Sequence, residues 1–157
     1  MPTHVLVAHL AVIVAPVAAL IALVYAGRPA SRRGMRWPLA VTGVAAVATS
    51  LWASTQGSAL YQELTARAAA NGAELPAAVF AHGHGSDVLL VATCALAVVV
   101  LALVWWLLAP GRATSVAAVV AAGVLAVAAI ATLGATGVVL DQAIRATWST
   151  SQFPAGE

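Results

Sequence analysis

Apolar residues form four long, almost uncharged stretches in this chain, and the polar residues gather in the connections between them. A helix of about 20 apolar residues is long enough to cross the roughly 30 Å hydrocarbon core of a bilayer. Each stretch is close to this length, so the pattern predicts four membrane-spanning helices. Their expected limits are about residues 5–25, 37–54, 86–108 and 115–140.

The connection between the second and third stretches, residues 54–81, is the longest and the most polar. Within it, Leu60 and Leu64 recur at helical spacing, and Glu63 and Arg67 form an i,i+4 pair of opposite charge. This pattern predicts a short amphipathic helix that lies on the membrane surface or caps the bundle.

Composition supports a membrane protein, because 62% of the residues are hydrophobic and only 8% are charged. A soluble domain carries about 25% charged residues, so this chain cannot cover a water-facing surface. The connection at residues 109–114 is so short that the third and fourth helices must be antiparallel neighbours. We therefore predict an all-α, polytopic membrane protein: residues 1–157 form one antiparallel four-helix transmembrane bundle with the short amphipathic helix outside.

The charged residues are divided between the two ends of the predicted helices. Five of the seven arginines lie in the two connections at one end, and all five acidic residues lie at the other end. The positive-inside rule makes the arginine end cytoplasmic. Both termini and the long connection are then extracytoplasmic in a multi-pass protein of the cell membrane. The arginines thus act as an orientation signal, and the expected partner is the lipid bilayer, with no nucleic acid. The arginines of this end are Arg28, Arg32, Arg33, Arg36 and Arg112.

All four histidines are expected at the extracytoplasmic end. His4 and His9 open the first stretch, and His82 and His84 open the third. Imidazole and carboxylate groups together suit transition metals, and helical bundles build metal sites from side chains on facing helices. The pattern therefore points to a metal site at this end.

Spacing limits which residues can act together. His84 and Asp87 are three residues apart and share one helix face, so they can ligate together or form a histidine–carboxylate pair. His4 and His9 are about 140° apart on an ideal helix and converge only if His4 precedes the helix or its first turn is distorted. Other candidate side chains at the same end are Gln56, Glu63 and Asp141.

Two alternatives to a non-haem metal site stay open. His9 and His82 can be the axial ligands of haem b, with small residues beside the macrocycle. A haem leaves the carboxylates without a role, and for this reason a non-haem ion ranks ahead of it. In the other alternative the histidines are merely interfacial, and the chain is a non-catalytic structural or accessory subunit of a larger membrane complex.

The residues at this end also resemble a known family. The similarity lies in the opening run His4-Val5-Leu6-Val7-Ala8-His9, in Thr55-Gln56-Gly57, in His82 five residues before Asp87, and in Asp141 seven residues before Trp148. These landmarks are similar to those of the four-span actinobacterial members of the domain of unknown function 2231 family. The chain departs from that pattern with Val5 in place of proline, Ser86 in place of glycine, and Gln142-Ala143 in place of Ser-Gly.

The resemblance implies a four-helix membrane fold and, through occasional fusion to Rieske-type domains, a link to electron transfer. It implies the metal ligands His4, His9, His82, Asp87 and Asp141, and it leaves His84, Glu63 and Gln56 as secondary or outer ligands. The expected cofactor is Cu, Zn or Fe, alternatively haem b, in electron transfer or metal handling. Redox or respiratory membrane proteins are the expected partners, and an oligomer is compatible with the sequence.

Overall fold

The computed structural model describes the backbone of residues 3–151 and the side chains of residues 5–145. The described part is all-helical, and four of its helices are long and apolar enough to span a membrane. This confirms the predicted all-α class and the four helices with the length and apolar character of membrane spans. The helices are α1 (Thr3–Gly27), α2 (Arg32–Ala70), α3 (Ala77–Val104) and α4 (Val116–Ser151), and a 3-10 turn at Pro29–Ser31 joins α1 to α2.

Helix α2 is longer than the predicted second span. It continues without interruption past residue 54 to Ala70, so the predicted amphipathic segment is the last part of α2 and not a separate helix. The chain offers no proline in this segment, and the Glu63–Arg67 ion pair supports the helix across it. The helix ends where Gly72 adopts a left-handed backbone with φ of 63°, which glycine tolerates without strain.

Helix α3 begins nine residues before the predicted limit. Pro76 precedes its first residue, Ala77, with an extended backbone. Proline suits a helix start because it has no N–H group to leave unpaired. Gly83 and Gly85, which precede the predicted start of the third span, therefore lie inside a regular helix.

The four helices pack in a closed ring, in which α1 contacts α2 and α4, and α3 contacts the same two helices. Helix α1 buries small residues such as Ala15, Ala18 and Ala22, while α3 contributes larger ones such as Leu96 and Val100. Large aliphatic side chains remain exposed along the outer faces of the helices. In a bilayer these faces contact lipid, so their exposure fits the membrane-spanning lengths.

The end that carries the arginines is held together by polar and aromatic contacts. Tyr25 is fully buried near the end of α1, and its hydroxyl donates a hydrogen bond to the carbonyl oxygen of Leu108 at 2.9 Å. The Nε of Arg32 donates to the carbonyl oxygen of Tyr25 at 3.2 Å. The guanidinium of Arg36 lies 4.5 Å from the centre of the Trp105 ring. Arg32 and Arg36 thus fasten the helix ends to each other.

Candidate functional site

A cavity of about 510 Å³ lies between the later turns of α2 and the first turns of α3. This volume is within the range of small-molecule sites, about 300–1,000 Å³. We call it the α2–α3 cavity. The polar side chains that line it include His82, Ser86 and Asp87 from α3, and Ser54, Ser58 and Tyr61 from α2.

Helical spacing explains why these side chains meet. His82 and Ser86 are one turn apart on α3, and the Ser86 hydroxyl donates to the His82 carbonyl oxygen at 3.0 Å. On α2, Ser54 and Ser58 are likewise one turn apart, so both helices present a narrow polar stripe to the same space. The remaining lining is mostly small or apolar, which leaves the cavity open between the helices.

Two aromatic rings form part of the cavity wall. Tyr61 from α2 and Phe80 from α3 meet edge to face, with their ring centres 5.7 Å apart. Such pairs stabilise a contact by roughly 0.5–1.5 kcal/mol beyond the area they bury. The pair therefore helps to fix the spacing of α2 and α3 at the cavity.

A second, smaller cavity of about 30 Å³ lies deeper in the bundle, where residues from all four helices meet. It shares the Ser54, His82 and Ser86 side chains with the α2–α3 cavity. Ser50 also lines it and is 5% exposed, and the Ser50 hydroxyl has no hydrogen-bond partner in the described part of the chain. A space of this size and polarity is large enough for about one water molecule.

The structure brings two of the predicted ligands to one place. His82 is half-buried and lines both cavities, and Asp87 is exposed at the α2–α3 cavity. His84, two residues after His82, is exposed and lines neither of the two cavities.

The other predicted ligands are placed elsewhere. His9 lies on the outer face of α1, where its Nδ1 donates to the Val5 carbonyl oxygen at 2.7 Å. The Asp141 carboxylate is exposed and pairs with Arg145 at 2.8 Å. The structure therefore does not bring His9 or Asp141 to the cavities that His82 lines.

The secondary candidates also lie apart from the cavities. The exposed Glu63 carboxylate pairs with Arg67, and Gln56 is half-buried outside the lining of both cavities. The side chain of His4 is outside the described residues. Within residues 5–145, no group of three or more His, Cys, Asp and Glu side chains is placed to hold a metal ion.

Sequence reasoning missed a close contact beside the site. The side chain of Gln142 on α4 lies against Gly85 on α3, so that a β-carbon at Gly85 would overlap the Gln142 Oε1. This oxygen is buried, and none of the described residues hydrogen-bonds to it. A glycine one turn from the half-buried His82 was the only signal in the sequence, and glycine alone does not identify the residue that packs on it.

Comparison with known proteins gives no relative, because no protein-family model, curated protein or solved structure matches the chain. The resemblance to the domain of unknown function 2231 family therefore stays a prediction. The two cavities and their side chains are the evidence that bears on function.

Proposed function

We propose that this multi-pass membrane protein binds a ligand in the α2–α3 cavity, with His82 and Asp87 as its principal polar contacts. The observation that carries the proposal is the position of these two side chains in one cavity of about 510 Å³. Ligand sites typically combine apolar walls with a few convergent polar groups. The cavity has this composition.

In the proposed arrangement the chain is an up-and-down antiparallel bundle with its arginine end in the cytoplasm. The exposed Trp37 near the start of α2 marks where the arginine end meets the membrane interface, because tryptophan is enriched at such interfaces. Ser58 at the cavity lies 21 residues further along α2, which corresponds to about 32 Å of helix. This distance matches the hydrocarbon thickness of about 30 Å, so the cavity would lie at the extracytoplasmic interface.

The orientation is tested with two exposed alanines in connections at opposite ends, Ala73 and Ala113. Each is replaced by cysteine in a Cys94→Ala background, because Cys94 is the single native cysteine and would also react. Intact cells are then treated with a membrane-impermeant maleimide. We expect the Ala73→Cys protein to be labelled and the Ala113→Cys protein to be protected. Labelling of the Ala113→Cys protein alone would show that the arginine end is extracytoplasmic.

A transition-metal ion or haem b is the narrower version of the proposal, in electron transfer or metal handling. His82 and Asp87 supply two donors, whereas zinc sites commonly use three or four protein ligands. A bare ion therefore fits the described side chains poorly. Haem iron is held by axial side chains, and His82 supplies one imidazole beside a cavity, so haem b fits these residues better than a bare ion. Bound haem would supply one-electron chemistry.

The test compares His82→Ala with His84→Ala, a control from the same motif whose side chain lines neither cavity. Each protein is purified in a maltoside detergent, and bound molecules are identified by native mass spectrometry, metal analysis and the visible spectrum. We expect an occupant in the wild type and in His84→Ala, and its loss in His82→Ala. The same occupancy in all three proteins, or none in the wild type even after metal and haem are added, would argue against the proposal.

The alternative, an accessory subunit of a larger membrane complex, is favoured by the outer face of α4. Gly123, Gly134 and Gly137 are exposed there, and a β-carbon at each would meet nothing within 4 Å. Larger exposed residues such as Val127 and Ile130 share this face, so the glycines form notches between them. The outer face of α1 carries bulky residues such as Ile13. Small residues let helices of different chains approach closely in lipid. Loss of a co-purifying membrane protein in Gly134→Leu, but not in Ile13→Leu, would support this alternative.

A further inference from the structure

We infer that the α2–α3 cavity takes a small organic ammonium, that is, a positively charged nitrogen with apolar substituents. The inference rests on the proposed function, because it names the class of ligand that the cavity binds. It is carried by the placement of one carboxylate, Asp87, and two aromatic rings, Tyr61 and Phe80, around the same space.

The acidic side chains at this end of the bundle differ in whether an arginine pairs with them. Glu63 and Asp141 are each neutralised by an arginine four residues later on the same helix. Asp87 belongs to neither of these ion pairs, which are the ones formed among residues 5–145. No arginine of the described part lines the cavity, and the chain contains no lysine. Among the described residues, the cavity lining therefore holds the Asp87 carboxylate and neither an arginine nor a lysine.

Two aromatic rings, those of Tyr61 and Phe80, line the same cavity. The face of an aromatic ring carries negative charge density, and cations bind to it with greatest benefit where water is partly excluded. Tyr61 and Phe80 hold their edge-to-face contact at the cavity wall, so their positions are set before a ligand arrives. Aromatic rings combined with a carboxylate recognise an ammonium whose substituents are apolar.

Other ligand classes fit the lining less well. Phosphate and carboxylate ligands are normally paired with arginine or lysine side chains, and no described residue of either type lines the cavity, where the Asp87 carboxylate would repel an anion. A transition-metal ion lacks a third protein donor among the described residues. A neutral apolar molecule fits the walls but leaves the charge of Asp87 without a partner. An organic cation satisfies both the walls and the charge.

The experiment compares choline with 3,3-dimethylbutan-1-ol, its uncharged isostere, as probes of the purified full-length protein. The detergent is a maltoside, because phosphocholine detergents themselves carry the ammonium group. Binding is measured by ligand-observed NMR titration at low salt, where an exposed carboxylate is least screened. We expect choline to bind about fivefold more tightly than the isostere.

Two variants remove the recognition groups and one serves as the matched control. Asp87→Asn is expected to weaken choline binding about threefold while leaving the isostere unchanged. Tyr61→Leu is expected to do the same through the loss of an aromatic face. Asp141→Asn, which removes an acid at the same end but outside the cavity lining, should leave the ratio at its wild-type value. Circular dichroism of each variant checks that it folds.

The outcomes separate this inference from the proposed function. Equal binding of the two probes, or an equal loss in Asp87→Asn and Asp141→Asn, would overturn the ammonium class while the cavity remains a ligand site. A metal ion or haem as the occupant that depends on His82 would likewise overturn the ammonium class and leave the cavity as a ligand site. Absence of every occupant and of both probes would overturn the inference and the proposed function together.

Discussion

The contact between Gly85 and Gln142 leads to a prediction in which two effects of known size oppose each other. Replacing a helical glycine by alanine stabilises a helix by roughly 0.5–1 kcal/mol, since alanine loses less backbone entropy. Gly83 shows this effect alone, because a β-carbon there meets nothing within 4 Å. We therefore expect Gly83→Ala to raise the free energy of unfolding by up to about 1 kcal/mol.

At Gly85 the added methyl group would overlap the Gln142 Oε1 and lie only 2.9 Å from the Gln142 Cδ. The flexible end of Gln142 must leave its place between α3 and α4. Overpacking of this kind costs about 1–3 kcal/mol, of which a strained rotamer accounts for about 0.5–1.5 kcal/mol. After the gain in helix propensity, we expect Gly85→Ala to be up to about 2 kcal/mol less stable than the wild type.

The assay is unfolding of purified protein in maltoside by titration with sodium dodecyl sulfate, followed by circular dichroism. The double variant Gly85→Ala/Gln142→Ala removes the obstructing amide, so its stability should equal or exceed that of Gln142→Ala alone. This double-mutant cycle isolates the contact from the propensity term. If Gly85→Ala proved as stable as Gly83→Ala, or if Gln142→Ala gave no rescue, the packing of α4 on α3 described above would be refuted.

Three further substitutions have defined outcomes in the same assay. Tyr25→Phe removes the hydrogen bond to the Leu108 carbonyl and should lower the free energy of unfolding by about 1 kcal/mol, whereas the exposed Tyr61→Phe should change it little. Equal effects of the two would mean that the buried bond does not contribute. Ser50→Ala removes a buried hydroxyl that has no partner in the described chain, so stability should be unchanged or rise by up to about 1 kcal/mol. A fall in the free energy of unfolding by more than about 1 kcal/mol would show that the Ser50 hydroxyl makes a hydrogen bond. Asp141→Asn breaks an exposed ion pair and should cost less than about 0.5 kcal/mol, and a larger loss would indicate a role beyond that pair.

The number and the character of the helices followed from the sequence, because spans of uncharged residues and their arginine-rich connections are local features. The limits of α2 and α3 did not follow. The third span was predicted to begin after Gly83 and Gly85, which are poor helix formers, but the helix begins at Ala77 and both glycines are inside it. The stability of those turns depends on packing against α2 and α4, and the helix propensity of a short segment gives no information about such packing.

The outward position of His9 can be read from the pattern of small and large residues along α1. In α1 the small residues Ala11 and Ala15 face the other helices, and the large residues Leu6 and Ile13 face outward. In a membrane helix the bulkier apolar face contacts lipid and the smaller one contacts protein. His9 falls on the bulky face, so its outward position follows from periodicity. The contact between Gly85 and Gln142, by contrast, depends on the register of α4 against α3, which no local pattern reports.

Helices α2 and α3 are fastened on both sides of the cavity they enclose. At the arginine end, Trp37 and Trp105 meet edge to face with ring centres 5.7 Å apart. At the other end the chain passes from one helix to the other in only six residues, 71–76. Because α2 and α3 are held together on both sides of the cavity, the cavity can widen only if one of the two helices bends.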